Sequence, residues 1–189
     1  MWQRLTALIG VALLTGATGL PSPAFADHGG GGVTPDGIDQ YFASAYLTAN
    51  GVTAYNWGRS ELARSALNVY SGSGDVLVRD WASQVHQNDF GWTECTDMTT
   101  YNACDKFDTV FNNLLMDSRS VNNWRSLGCH ELGHGGNLDH RYASTDSDDN
   151  SCMRNEIWPL SLDTHDINEI NADWSVPHAI QPGCLNNAC

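Results

Sequence analysis

Apolar positions along this chain repeat with two periods, three-to-four residues and two, and the changes of period outline its elements. Thr34 and Pro35 read as a helix N-cap and first helical residue, followed at helical spacing by Ile38, Tyr41, Phe42, Ala45 and Tyr46, with Asn50-Gly51 as the stop. Val52 to Trp57 suits a strand. Ser60 is placed to cap a helix carrying Leu62, Ala63, Ala66, Leu67 and Tyr70, which Gly72-Ser73-Gly74 ends. Asp75 to Trp81 alternates as a strand does, Val76 and Val78 against Leu77 and Arg79. Residues 82–106 read as short strands and a cysteine-bounded loop, and Lys106 to Asn112 as a strand through Phe107, Val110 and Phe111. Ser120 caps a helix with Val121, Trp124, Leu127 and Gly128 on one side, and Gly135-Gly136 terminates it. Asp163 or Thr164 starts a last helix with Ile167, Ile170 and Trp174. There are no internal repeats. Helix and strand signals alternate imperfectly, which predicts an α+β fold with a mixed sheet rather than a doubly wound one.

Composition sharpens the setting. Arg4 precedes an apolar run from Leu5 to Leu14, Gly16, Gly19, Pro21 and Pro23 follow, and Ala24-Phe25-Ala26 has the small-x-small form of a signal peptidase site. Residues 1–26 are therefore expected to be a signal peptide, since the apolar run is too short to span a bilayer. Residues 27–34 form a glycine-rich mature N-terminus, and 35–189 are enough for one domain with its own core. The expected product is a secreted, extracellular monomer without a membrane partner. A net charge of −13 opposes a nucleic-acid partner. All six cysteines follow the leader, an even count that implies disulfides. Local pairing suggests Cys95–Cys104 and Cys184–Cys189, leaving Cys129–Cys152.

The chemistry concentrates at His130-Glu131-Leu132-Gly133-His134, with His140 six residues further on. Histidines four apart on a helix share a face, so both imidazoles can reach one metal ion. A third histidine returning after a chain reversal completes a three-nitrogen site that keeps a position open for water, and Glu131 is the candidate general base beside it. Glu156 offers a different third ligand, but Pro159 disfavours the second helix that arrangement needs, so His140 is preferred. His28, His86, His165 and His178 lack ligand spacing. Asp146, Asp148, Asp149 and Asn150 carry oxygen donors of the type calcium takes; without the glycine and terminal glutamate of an EF-hand loop, a solvated acidic loop is the simpler reading. No Ser/His/Asp signature or phosphate-cradling loop is evident.

The segment His130 to His140 resembles the extended zinc signature of the metzincin metallopeptidases, HExxHxxGxxH. The resemblance implies His130, His134 and His140 as zinc ligands and Glu131 as the catalytic glutamate. Asn137 stands where the family has glycine, at a turn of positive φ that asparagine also tolerates. Met153 matches the methionine of the turn beneath the zinc in that family, without the tyrosine that follows it in the astacin and serralysin branches. Residues 162–174 are similar to the closing helix of matrixin-like members. The implied fold is a zincin-like metallopeptidase domain: a mixed twisted sheet, an active-site helix, a Met-turn and a C-terminal helix. The implied activity is zinc-dependent endopeptidase cleavage of proteins or peptides. Substrate is expected along an edge strand before the helix, where it gains main-chain hydrogen bonds, and Asn155, Ile157 and Pro159 are expected from their position after Met153 to wall a pocket. A zinc-binding module without turnover and a zinc hydrolase of cell-wall amides are the alternatives.

Overall fold

The computed structural model describes residues 33–100, 102–141, 150–154 and 158–174. The expected leader, Asn155, Glu156, Ile157, the acidic residues Asp146, Asp148 and Asp149, and the Cys184–Cys189 pairing lie outside them.

The described chain is α+β, a five-stranded mixed sheet with four helices. Its strands are β1 (Asp39–Ala45), β2 (Asn68–Ser71), β3 (Val76–Trp81), β4 (Gly91–Met98) and β5 (Cys104–Asn112), in the spatial order β2-β1-β3-β5-β4. Strands β2, β1, β3 and β5 run parallel, and β4 pairs antiparallel with β5 at the edge. The Cys95–Cys104 disulfide joins β4 to β5. Helices α1 (Ala49–Leu62) and α3 (Val121–Gly135) pack on each other, α2 (Asn113–Met116) is a single turn, and α4 (Thr164–Trp174) closes the described chain. Phe42, Val76, Val78, Phe107 and Phe111 from the sheet form one core with Ala54, Leu62, Trp124, Leu127, Leu132, Met153 and Ile170. No helix among the described residues is long and apolar enough to cross a membrane.

The strands at 76–81 and 104–112 and the helices at 121–135 and 164–174 fall where the periodicity places them. The first forty described residues do not. The helix expected from Thr34 is strand β1, the strand expected at Val52 to Trp57 lies inside α1, and the helix expected beyond Ser60 gives way to strand β2. In β1 the side chains of Gln40 and Phe42 are buried and Asp39 and Tyr41 exposed, so the chain follows a period of two that local spacing did not reveal. Parallel β2 and β3 hydrogen-bond it on both sides, and that pairing overrides local propensity. Asn50-Gly51 does not stop a helix but begins one: the Thr48 hydroxyl caps α1 by accepting from the Gly51 amide at 3.1 Å.

Two glycines set how closely α1 and α3 approach. A methyl group on Gly128 would meet the Ala54 backbone, and one on Gly58 would meet the Gly128 carbonyl. Gly128→Ala is therefore expected to destabilise the fold by about 1–3 kcal/mol through overpacking. Gly135→Ala, whose added methyl meets open space, should stay within about 1 kcal/mol of wild type. Urea unfolding of the two variants checks the contrast.

Candidate metal centre

Helix α3 begins with a capping box: the Ser120 hydroxyl accepts from the Asn123 amide while the Asn123 side chain accepts from the Ser120 amide. This start sets the phase that turns Trp124, Leu127 and Leu132 into the core. His130 and His134, one helical turn apart, emerge on the side facing a cleft of about 580 Å³. The helix ends in a Schellman motif: Leu138 N–H donates to Gly133 O at 3.2 Å and Asn137 N–H to His134 O at 3.1 Å. Asn137 takes the left-handed conformation this ending requires, with φ 67°, the positive φ expected of it from the sequence. The reversed chain brings His140 back to the other two histidines.

The three Nε2 atoms converge. Separations are 3.3 Å between His130 and His134, 3.1 Å between His134 and His140, and 3.1 Å between His140 and His130. His130 Nδ1 lies 2.7 Å from Cys152 O and His134 Nδ1 lies 2.8 Å from Leu138 O. A carbonyl only accepts, so both Nδ1 atoms carry the proton and both Nε2 atoms present a lone pair. Lone pairs facing each other at this distance cannot hydrogen-bond; a cation between them resolves the arrangement. A tetrahedral zinc site has nitrogen–nitrogen edges of about 3.3–3.4 Å, close to those seen here. The donor set therefore fits a metal ion such as zinc. Burial, reinforced by the neighbouring imidazoles, pushes His130 down to about 3, and burial pushes His134 down to about 4, from an ordinary 6.5.

Glu131 lines the same cleft, beneath β4. Thr93 Oγ1 lies 2.8 Å from the Glu131 carbonyl oxygen and 3.3 Å from Oε2, with the Thr109 hydroxyl 3.1 Å behind it. A Cβ at position 91 would stand 2.7 Å from Glu131 Oε1 and 2.8 Å from Val110 O, so only glycine lets β4 pass over this carboxyl. Burial pushes the Glu131 carboxyl up to about 8, outweighing the Thr93 hydrogen bond. A cation at the histidines favours its charged form.

The surroundings hold the ligands in place. Met153 is fully buried, and its sulfur packs against Gly133 beneath the site. The Cys129–Cys152 disulfide ties the residue before His130 to the residue whose carbonyl orients that imidazole. Arg141, directly after His140, pairs with Asp163 and Asp166. Asp163, His165 and Asp166 also cluster, but the two carboxylates cap each other's backbone amides at the start of α4 and face the Arg141 guanidinium. His86, set aside from the sequence, stacks on Trp92 and pairs with Asp89 and is not one of the three converging histidines. Sequence reasoning missed Gly91, Thr93 and Asp139 as cleft residues. Gly91-Trp92-Thr93 has strand composition, but nothing local ties it to Glu131.

Neither a scan against protein-family models nor a search of curated proteins finds a match for this chain. The two disulfides are of the kind an oxidising environment such as the extracellular space sustains.

Two outcomes follow for the site. In the unfolded chain the imidazoles take up protons near pH 6.5, whereas in the folded, metal-free chain His130 and His134 stay neutral to about 3 and 4. At these two positions the unfolded state binds more protons below pH 6.5, so their contribution to the stability of the metal-free fold falls as pH drops from 6.5 towards 4, while Glu131, pushed up to about 8, acts in the opposite sense. Melting curves of the chelated Glu131→Gln protein between pH 6.5 and 5 should show a slope that shrinks when His130→Gln/His134→Gln is added. Replacing both Cys129 and Cys152 by serine frees the carbonyl that orients His130 and should weaken zinc binding about 10–100-fold, measured by competition with a chromogenic chelator.

Proposed function

We propose that this chain is a secreted zinc-dependent endopeptidase of the metzincin type, resembling its matrixin-like members. The observation that carries the reading is the buried glutamate, Glu131, next to three converging histidines in an open cleft. A structural zinc site is closed by four protein ligands, whereas a three-ligand site on a cleft with an adjacent carboxyl suits hydrolysis. Neutral imidazoles suit zinc among the metals that take nitrogen donors. The order of elements adds support: four parallel strands, an antiparallel edge strand over the ligand helix, a methionine turn beneath it and a closing helix.

His130, His134 and His140 would hold the zinc, which when bound lowers the pKa of water and polarises a carbonyl. Glu131 accepts a proton from the water that attacks the scissile carbonyl and delivers it to the amine nitrogen as the C–N bond breaks. Strand β4 ends the sheet, and Gly91, Trp92 and Thr93 line the cleft. An extended peptide laid along that edge gains main-chain hydrogen bonds and presents its carbonyl to the site. Phe90 and Trp158, in edge contact at 4.9 Å between ring centroids, offer an apolar wall beside Leu127.

Glu131→Gln should lower the rate of cleavage of a fluorogenic peptide library by about 10²–10⁴ while zinc stoichiometry stays at wild-type level. Chelation should abolish cleavage and zinc should restore it. Full zinc binding without cleavage of any peptide would reduce the protein to a metal-binding module.

A further inference from the structure

The Schellman ending of α3 does more than reverse the chain. Asn137 sits midway between His134 and His140, and its Nδ2 donates to Asp173 Oδ2 in the last turn of α4 at 3.0 Å. Glycine also adopts this φ, but it has no side chain to reach the helix. At the other end of the same loop, Arg141 pairs with Asp163 and Asp166 at the start of α4. The metal loop is thus fastened at both ends to one helix. Between the fastenings, Leu138 is buried and its carbonyl accepts from His134 Nδ1. Gly136 packs under Ile170 of α4, where an added Cβ would come within 3.2 Å of Ile170 Cδ1.

Resting on the metal-centre reading above, we infer that Asn137 is a positioning residue: its bond to Asp173 makes α4 a splint that fixes the Leu138 carbonyl and the return of His140. The bond joins an amide to a carboxylate, the stronger kind of neutral-to-charged hydrogen bond. It acts on the ligands without touching the ion. Groups that orient metal-bound histidines from outside the coordination sphere set affinity by about 10–100-fold. One step further out, the expected effect is at the lower end of that range.

The test uses the oxidised mature protein and two ions, Zn²⁺ and Co²⁺. Asn137→Gly keeps the backbone conformation and removes only the tether; Asp173→Ala removes it from the other side. Each should weaken Zn²⁺ binding about 10-fold and change the visible absorption of the Co²⁺ form. Asp173→Asn, which keeps an acceptor oxygen, should restore both readouts. The double variant Asn137→Gly/Asp173→Ala should bind no more weakly than Asp173→Ala alone, because the Asn137–Asp173 bond is already lost there. Wild-type affinity and an unchanged Co²⁺ spectrum in Asn137→Gly, or additive losses in the double variant, would overturn the inference and leave the metal centre standing. Failure of the wild-type protein to bind either ion overturns the metal centre and the splint together.

Discussion

The Nε2 atoms of His130 and His134 face each other with bare lone pairs at 3.3 Å, and His140 Nε2 stands 3.1 Å from both, so their repulsion is relieved when a cation lies between them. Much of the surrounding architecture resists that repulsion. Each ligand has its own restraint: His130 through the Cys152 carbonyl and the disulfide beside it, His134 through the Leu138 carbonyl, His140 through Arg141 and its two carboxylates. Below them Met153 fills the space under Gly133, and at the far side α1 locks α3 in place at a crossing too close for side chains. Pre-organisation of this kind lets a metal ion bind without first paying to assemble its ligands.

The parts of this arrangement that were legible in the sequence are those whose partners lie close along the chain. His130, His134 and His140 fall within one helix end and its turn, so spacing alone brings them together. Ser120, Gly135 and Gly136 mark the limits of α3 through local backbone chemistry, and Val76 to Trp81 shows its alternation because one of its faces is exposed. The Cys129–Cys152 pairing emerged by elimination and is present. What stayed illegible depends on distant partners. Ile38 to Tyr46 satisfies a helical spacing equally well, and only parallel pairing with β2 and β3 selects the strand. Buried Gln40, donating to Gly37 O at 2.7 Å, breaks the apolar pattern a strand reading would have needed. The contact of Thr93 with Glu131 spans 38 residues and leaves no periodic trace.

Asn137 shows how a departure from a motif is informative when its environment is known. As a letter in a pattern it only weakens the match. In the fold it occupies the position where asparagine is the commonest substitute for glycine, and it uses the side chain that glycine lacks. The same helix that receives it also receives Arg141, so one element, α4, bears on the loop from both ends. A closing helix that merely covered the core would need Ile170 but neither of these polar contacts.

Glu131 sets the proposed hydrolytic site apart from a passive metal site. A carboxyl buried under an edge strand, with its pKa pushed up to about 8, is unfavourable for folding, and an apolar side chain would serve stability better. The chain nevertheless makes room for it, with glycine at position 91 and a hydroxyl at position 93. Features that break the rules of a stable interior and are supported by specific neighbours concentrate at functional sites. In the proposed reaction the burial would also give the group its use: a carboxylate shielded from water is a stronger base than one at the surface, and a cation at the histidines would favour the charged form that accepts a proton. The strain at Glu131 and the repulsion among the histidines would be eased by the same ion, which makes them two sides of one site.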